Sequence, residues 1–259
     1  MAVFIVFETP IGGEEKIIKI ELLEELNFTN MTPGKKFRDA IKNNSPLIIP
    51  GAINAYSAKL AERADHKAIY LSGSGVAAAS YGLPDLGVTS LEDVVIDAKR
   101  ITDATNLPLL VDIDTGWGGA FNISRTIKEL SRAGVAAVHI EDQVGQKRCG
   151  HRPNKEMVST QEMVDRIKAC IDAREEKDFF IMARTDAFAK EGMSASIDRS
   201  HAYIEAGADG IFAEAMTDIN HYKEFKNSLK VPILANICLL YTSDAADEGL
   251  GVDLGGRRI

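Results

Sequence analysis

Cysteine is scarce in this chain, and the three present, Cys149, Cys170 and Cys238, are odd in number and widely spaced. That excludes a disulfide-stapled scaffold and fits a reducing compartment, so a cytoplasmic location is predicted. Long apolar runs are missing too: nothing in the sequence approaches the ~18 residues that a membrane span needs. Basic residues are in deficit, 30 Lys and Arg against 38 Asp and Glu, for a net charge of −8. A broad nucleic-acid surface is thereby excluded. The first 30 residues hold no arginine, and Glu8, Glu14, Glu15, Glu21, Glu24 and Glu25 face only Lys16 and Lys19. A transit peptide is Arg-rich and poor in acid, and a secretory signal carries an apolar stretch behind a basic start, so the segment matches neither. No Cys/His pair has zinc-ligand spacing. The dinucleotide fingerprint G-x-G-x-x-G is absent as well, since Ser72-Gly73-Ser74-Gly75 lacks its third glycine.

What is present is material for one sizeable core. Hydrophobic residues make up 45% of 259, a length near the ~250 of a single (β/α)₈ barrel. Short apolar runs recur at Pro46–Ile53, Lys67–Gly73, Leu107–Asp114, Ala136–Asp142, Phe179–Asp186, Gly210–Ala215 and Val231–Ile237. They lack strict alternation, as parallel strands covered on both faces do. Segments of helical period lie between them: Ala55–Ala64, Leu91–Asp103, Ser124–Arg132, Thr160–Arg174, Ala195–Glu205 and Asp218–Ser228, with Ser159 and Ser194 as candidate N-caps. A weak repeat sharpens the pattern. Ala133-Gly134 leads to Glu141 and Ala206-Gly207 to Glu214, with a Gly-to-Glu spacing of seven in both, and Ala64-Asp65 leads to Ser72 in the same register. Each unit is a helix stop, a strand and a polar residue at the strand's end, which favours a barrel that points every strand end at one mouth.

Acids gather at that predicted mouth: Asp112 and Asp114, then Glu141 and Asp142, then Asp186 and Glu214. Converging carboxylates repel unless a cation sits among them, and an all-oxygen set suits Mg²⁺, with Mn²⁺ as the alternative. Asp112 and Asp114, two apart on a strand, can address one ion. A second constellation, Lys147-Arg148-Cys149-Gly150-His151-Arg152, follows Glu141-Asp142. Flanking cations favour a thiolate, so Cys149 is predicted to be the reactive cysteine and Cys170, in a helical segment, an inert one. Lys147, Arg148 and His151 also suit an anionic substrate. His139 reads as a satisfied core histidine or a support behind the site. Gly116-Trp117-Gly118-Gly119 reads as a tight turn or gate as readily as a phosphate cradle. Arg184 at a strand end needs an anion if buried, and a substrate carboxylate is the candidate.

The run Lys147-Arg148-Cys149-Gly150-His151 resembles the signature of the isocitrate lyase and phosphoenolpyruvate mutase superfamily, in its 2-methylisocitrate lyase branch. The neighbouring motifs agree in order: Tyr70-Leu71-Ser72-Gly73, Gly82-Leu83-Pro84-Asp85, Val111-Asp112-Ile113-Asp114, His139-Ile140-Glu141-Asp142-Gln143, Ile181-Met182-Ala183-Arg184-Thr185-Asp186 and Leu234-Ala235-Asn236-Ile237. The resemblance runs from about Met31 to Ile237. It implies a (β/α)₈ TIM barrel, homotetrameric at full length, that cleaves the small tricarboxylate 2-methylisocitrate to pyruvate and succinate with Mg²⁺. By the same resemblance Cys149 is the proton donor, with His151 beside it, and Tyr70 is the candidate base. Asp112 and Asp114 match metal positions, with Asp85, Glu141 and Asp142 around the waters. Ser72, Gly73, Ser74, Cys149, Gly150, Arg184, Glu214 and Asn236 match substrate contacts.

The departures are mostly small: Ser74 stands for a usual glycine, Ala213 for an expected proline, and Trp117 for a smaller aromatic. The large one follows Ile237, where an eighth strand, an arginine-bearing segment and C-terminal helices are expected and Cys238–Ile259 offers none of them. That tail resembles translated adaptor read-through. Residues 1–30 are therefore read as a non-catalytic extension, 31–237 as a barrel with about seven strands, and 238–259 as a non-native tail. Within the superfamily the rival substrates are isocitrate and 2,3-dimethylmalate. Phosphonate enzymes generally lack the Lys-Arg-Cys-Gly-His loop, and isocitrate lyases tend to carry tryptophan where Phe212 leaves room for a methyl. From another class the rivals are an inactive fragment and a metal-dependent carboxylate-binding protein.

Overall fold

The apolar runs become strands and the periodic segments helices, wrapped in sequence order around one axis. The computed structural model of the protein describes residues 3–7, 31–150 and 154–236. Seven parallel strands form the wall: β2 (Leu47–Pro50), β3 (Ile69–Leu71), β4 (Leu109–Asp112), β5 (Ala137–Glu141), β6 (Phe180–Thr185), β7 (Gly210–Ala213) and β8 (Ile233–Asn236). β3 to β8 are hydrogen-bonded neighbours in chain order. β2 meets β3 through a bridge between Gly51 and Tyr70, where Ala52 N–H donates to Tyr70 O at 2.7 Å. All seven coincide with runs read from the sequence.

The eighth place is filled from an unexpected quarter. β1 (Val3–Phe7) lies antiparallel between β2 and β8, with Phe4 opposite both Ile49 and Asn236. Residues 31–237 thus supply the seven strands expected of them, and the eighth comes from the segment read as a non-catalytic extension. The rest of that segment, His151, Ile237 and the 238–259 tail lie outside the described residues.

Eight helices among the described residues cover the wall: α1 (Pro33–Asn43), α2 (Ala55–Arg63), α3 (Gly73–Tyr81), α4 (Leu91–Thr102), α5 (Ala120–Arg132), α6 (Thr160–Ala173), α7 (Phe188–Glu205) and α8 (Ile219–Ser228). Their starts follow from local chemistry. Thr32 accepts from Lys35 N–H ahead of Pro33, and Asn54/Ser57 and Ser90/Asp93 form reciprocal caps on α2 and α4. Ser159 caps α6 as expected. Ser194 does not cap, because α7 begins earlier and runs through a kink at Gly192. The repeat is real in backbone terms: Gly134, Gly207 and their substitute Asp65 all take positive φ just past a helix end.

Strand alternation sorts the core into two layers. Ile69, Leu71, Val111, Val138, Ile140, Ile181 and Ile211 face the helices. Tyr70, Leu110, Ala137, Phe180, Met182, Phe212 and Leu234 fill the barrel. α1 plugs the barrel's base: Phe37 is fully buried and meets Phe180 edge-on, ring centroids 5.3 Å apart. Asp209 at the start of β7 ties the base together, with Arg38 at 2.9 Å, Arg174 at 3.0 Å and Ile181 N–H at 2.9 Å.

Candidate active site

The inward positions at the strand ends carry the chemistry. On β4 the side chain of Asp112 follows Leu110 into the barrel, and Asp114, with φ of 47°, continues on the same side. On β5, Glu141 follows His139 inward. Oxygens of Asp112, Asp114 and Glu141 come within 4.8 Å of one another, and all three residues are buried. The pair predicted to share one ion is thus brought together, and Glu141 joins it directly.

The surroundings treat these acids differently. Asp112 accepts from Gly73 N–H at 3.3 Å, at the N-terminus of α3, and from Asp114 N–H at 3.0 Å. Burial alone would raise its carboxyl, yet the cationic surroundings of Lys147 and Arg184, with His139, hold it down to about 2. Burial and then Asp112 push Asp114 up to about 6. Burial raises Glu141 well above the carboxylate range, and neither of its carboxylate oxygens has a hydrogen-bond partner in the protein. A buried acid left this way costs stability unless a cation completes it. The three residues therefore fit a divalent ion with oxygen ligands.

Lys147 is buried here and pairs with Asp85 and with Asp114, the latter at 2.6 Å. Its ammonium is committed to the acids, which corrects the reading of it as a free anchor for substrate. Asp85 belongs to this ion pair. Asp142 is a second correction. Being next to Glu141, it leaves the strand on the other face, and accepts from Thr185 Oγ at 2.8 Å, Asp186 N–H at 2.9 Å and Tyr203 O–H at 2.9 Å. It braces the wall against α7 and is not part of the acid group.

Tyr70 and His139 stack with centroids 5.6 Å apart, and Tyr70 Oη lies 2.9 Å from His139 Nε2 and 3.4 Å from Asp112. Burial, then Asp112, raises the phenol well above its ordinary value, so Tyr70 alone is a poor base. Burial lowers His139 to about 4, which keeps it neutral as a support behind the acids. Arg184 is buried and finds its anion inside the protein: Asp186 is bound twice, at 2.9 and 3.1 Å, and Glu141 lies 3.3 Å away. A substrate carboxylate is therefore not what permits its burial. Phe212 lies beneath it, 5.2 Å from the guanidinium.

Across the mouth, Gly150 sits so close to Arg184 and Glu214 that a Cβ would fall 2.6 Å from Arg184 Nη2 and 2.7 Å from Glu214 Oε1. Any side chain here would have to displace Arg184 or Glu214, and glycine lets the loop bearing Cys149 lie against the strand ends of β6 and β7. Cys149 is half-exposed, while Cys170 is fully buried in α6 with its thiol pushed up to about 12 by burial. The burial of Cys170 fits its reading as an inert residue. Ser72, Gly73 and Ser74 form the cap and first turn of α3, a helix the sequence reading left out. Asn236 is buried at the inward end of β8. The Trp117 turn is pinned, its indole N–H donating to Thr89 O at 2.9 Å. Lys155, Tyr203 and Arg199 carried no signal in the sequence, and Gln143 and Thr185 stood there only as members of longer motifs, because each acts on a residue distant along the chain or on backbone.

The family profile described as phosphoenolpyruvate phosphomutase matches residues 37–254. The chain belongs to that family. Within it, the chain is 67% identical over 204 residues to a 2-methylisocitrate lyase from Shewanella oneidensis, covering 79% of this chain and 70% of that one. Among solved structures of family relatives, 2,3-dimethylmalate lyase superposes with a TM-score of 0.73 at 38% identity, over 77% of this chain and 67% of the other. Phosphonopyruvate hydrolase, solved with oxalate and Mg²⁺, gives a TM-score of 0.68 at 31% identity over 78% and 71%.

Proposed function

We propose that the protein is a Mg²⁺-dependent carbon–carbon lyase that cleaves 2-methylisocitrate to pyruvate and succinate. The observation that carries this reading is the convergence at one mouth of an incompletely paired acid group with Arg184, Glu214 and the Cys149 loop, in a chain 67% identical to a lyase of that name. Asp112, Asp114 and Glu141 are the residues that would hold the metal, with Mn²⁺ as a substitute. A divalent cation there supplies Lewis-acid polarisation of the substrate's hydroxyl and carboxylate oxygens.

The chain's own residues would do the rest. Loss of the proton from the tertiary hydroxyl lets its oxygen become the carbonyl of pyruvate as the C2–C3 bond breaks, and the bonding pair stays on C3 of the succinate fragment. Arg184, together with Ser72, Gly73, Ser74, Gly150 and Asn236, offers donors for the substrate carboxylates and for the charge that develops on the succinate side. The thiol of Cys149 gives its proton to C3. Tyr70 remains the candidate to accept the hydroxyl proton, in a site whose charge would have to lower its phenol first. The role of His151 rests on its place beside Cys149 in the sequence.

Phe212 supports the methyl-bearing substrate, although one methyl is worth only ~1–3 kcal/mol of discrimination. The likeness to 2,3-dimethylmalate lyase keeps that dicarboxylate as the second reading. A cytoplasmic setting accords with the few cysteines, and a homotetramer with the resemblance read from the sequence. The test is release of the 2-oxo acid, pyruvate from 2-methylisocitrate and 2,3-dimethylmalate and glyoxylate from isocitrate, each with Mg²⁺ and after EDTA treatment. Pyruvate from the first substrate, abolished by EDTA, is expected. Binding of the tricarboxylate without cleavage would instead favour a carboxylate-binding protein, and equal turnover in EDTA would remove the metal.

A further inference from the structure

The loop between β5 and α6 is held in place by contacts that the reaction scheme does not use. Its neck is zipped: Val144 N–H donates to Glu156 O at 2.9 Å, Val158 N–H to Asp142 O at 2.8 Å, and Gln143 bridges Met157. Arg166 adds a brace to the carbonyls of Glu141 and Gln143 at 3.1 and 2.8 Å. Beyond the neck, two side chains grip the backbone on either side of Cys149. The Gln143 amide makes a matched pair with Arg148, accepting from its N–H at 3.0 Å and donating to its carbonyl at 2.9 Å. Lys155, itself buried, donates to Gly150 O at 2.8 Å and to Asp186 Oδ1 at 2.5 Å.

The second grip has a further property. Asp186 is also the double partner of Arg184. Lys155 thus links the carbonyl following Cys149 to the strand-end guanidinium through one carboxylate. A buried ammonium is kept only with partners of this kind, and losing it would leave Asp186 with one cation and Gly150 O without its donor. Gly150, with no room for a side chain above Arg184 and Glu214, allows the loop to seat at the depth these grips require.

We propose that Gln143 and Lys155 are positioning residues that hold the Cys149–Gly150 peptide over Arg184 and Glu214. Its catalytic meaning rests on Cys149 as proton donor, so the experiment separates the two ideas. Gln143→Ala, Lys155→Met and Lys155→Arg are made in the full chain, and deuterium uptake is followed by mass spectrometry in peptides covering 144–150 and 160–173. Uptake over 144–150 is expected to be about tenfold faster in Gln143→Ala and Lys155→Met, with α6 unchanged and Lys155→Arg close to the parent. Unchanged uptake in both variants overturns the proposal, and so does a rise that extends equally through α6. In turnover, kcat is expected to fall at least about tenfold with KM within about threefold. Unchanged kcat in variants with a loosened loop, in an enzyme that Cys149→Ser disables, overturns the positioning role. Should Cys149→Ser keep full turnover, the proton donor is misassigned, and uptake alone decides whether the grips exist.

Discussion

The two ends of this barrel handle their acids in opposite ways, a partly exposed one at the base and buried ones at the mouth. At the base, Asp209 has both oxygens engaged, by Arg38, Arg174 and the Ile181 N–H. At the mouth, Glu141 has no hydrogen bond on either oxygen and only the Arg184 ion pair at 3.3 Å, and Glu214 Oε1 and His139 Nδ1 likewise lack a hydrogen bond, while Asp114 Oδ1 faces Lys147 at 2.6 Å. The same wall and the same residue types produce both. What differs is whether the fold itself completes the group, and an incompletely satisfied cluster at the C-terminal strand ends is where a ligand has something to contribute.

The comparison is sharpest where the mouth acids are removed. Asp112→Asn is expected to reduce pyruvate release to the uncatalysed level and to abolish stabilisation by added Mg²⁺ in a thermal melt. Retained metal stabilisation would mean that the ion sits elsewhere. Next comes the thiol contrast: Cys149→Ser should lower kcat by about 10²–10⁴-fold with little change in KM. Cys170→Ser should leave turnover near the parent value, and the reverse outcome would exchange their roles.

At the base the expected effect is on stability. Asp209→Ala leaves two arginines and a backbone N–H short of an acceptor, and urea unfolding should show a loss of about 2–3 kcal/mol. Its kcat and KM, measured well below the melting temperature, should not move. A change in KM would join the base to the site. The smallest effect has the opposite sign. In EDTA, Asp114→Asn should be more stable than the parent at pH 7 by about 1–2 kcal/mol. The parent's carboxyl, raised in the fold to about 6, holds its proton more tightly there than in the unfolded chain. That contribution is present at low pH and is lost as pH rises from about 4 through about 6, whereas a neutral amide has nothing to lose. The advantage should therefore vanish by pH 4, and parallel pH–stability curves would show that Asp114 is not strained.

Much of this contrast was legible in the sequence. All seven parallel strands were, because short apolar runs, helix stops and strand-end acids are local signals repeated in register. Asp112, Asp114 and Glu141 could be placed together from those strand ends. Asp142 was misread although a signal existed: consecutive residues on a strand face opposite ways, so Glu141 and Asp142 could not both point inward. α3 was missed because Gly73–Tyr81 is rich in glycine, serine and alanine and shows no amphipathic period. The anion for Arg184, the commitment of Lys147 to Asp85, and the reach of Lys155 to Asp186 depend on where loops return in space. β1 escaped notice because its partners are 41–47 and 226–232 residues away.

The direction of β1 has a consequence for the rim. Each parallel strand delivers its outgoing chain to the mouth, where side chains can be recruited for recognition. β1 runs the other way, with Val3 beside Pro50 and Phe4 beside Asn236 at the mouth and Phe7 beside Ile233 toward the base. One sector of the rim, between Pro50 and Asn236, is therefore bordered by no outgoing loop from its own strand. Among the described residues, seven strands open their C-terminal ends onto the rim, and the eighth sector is bordered by β1 backbone running the opposite way.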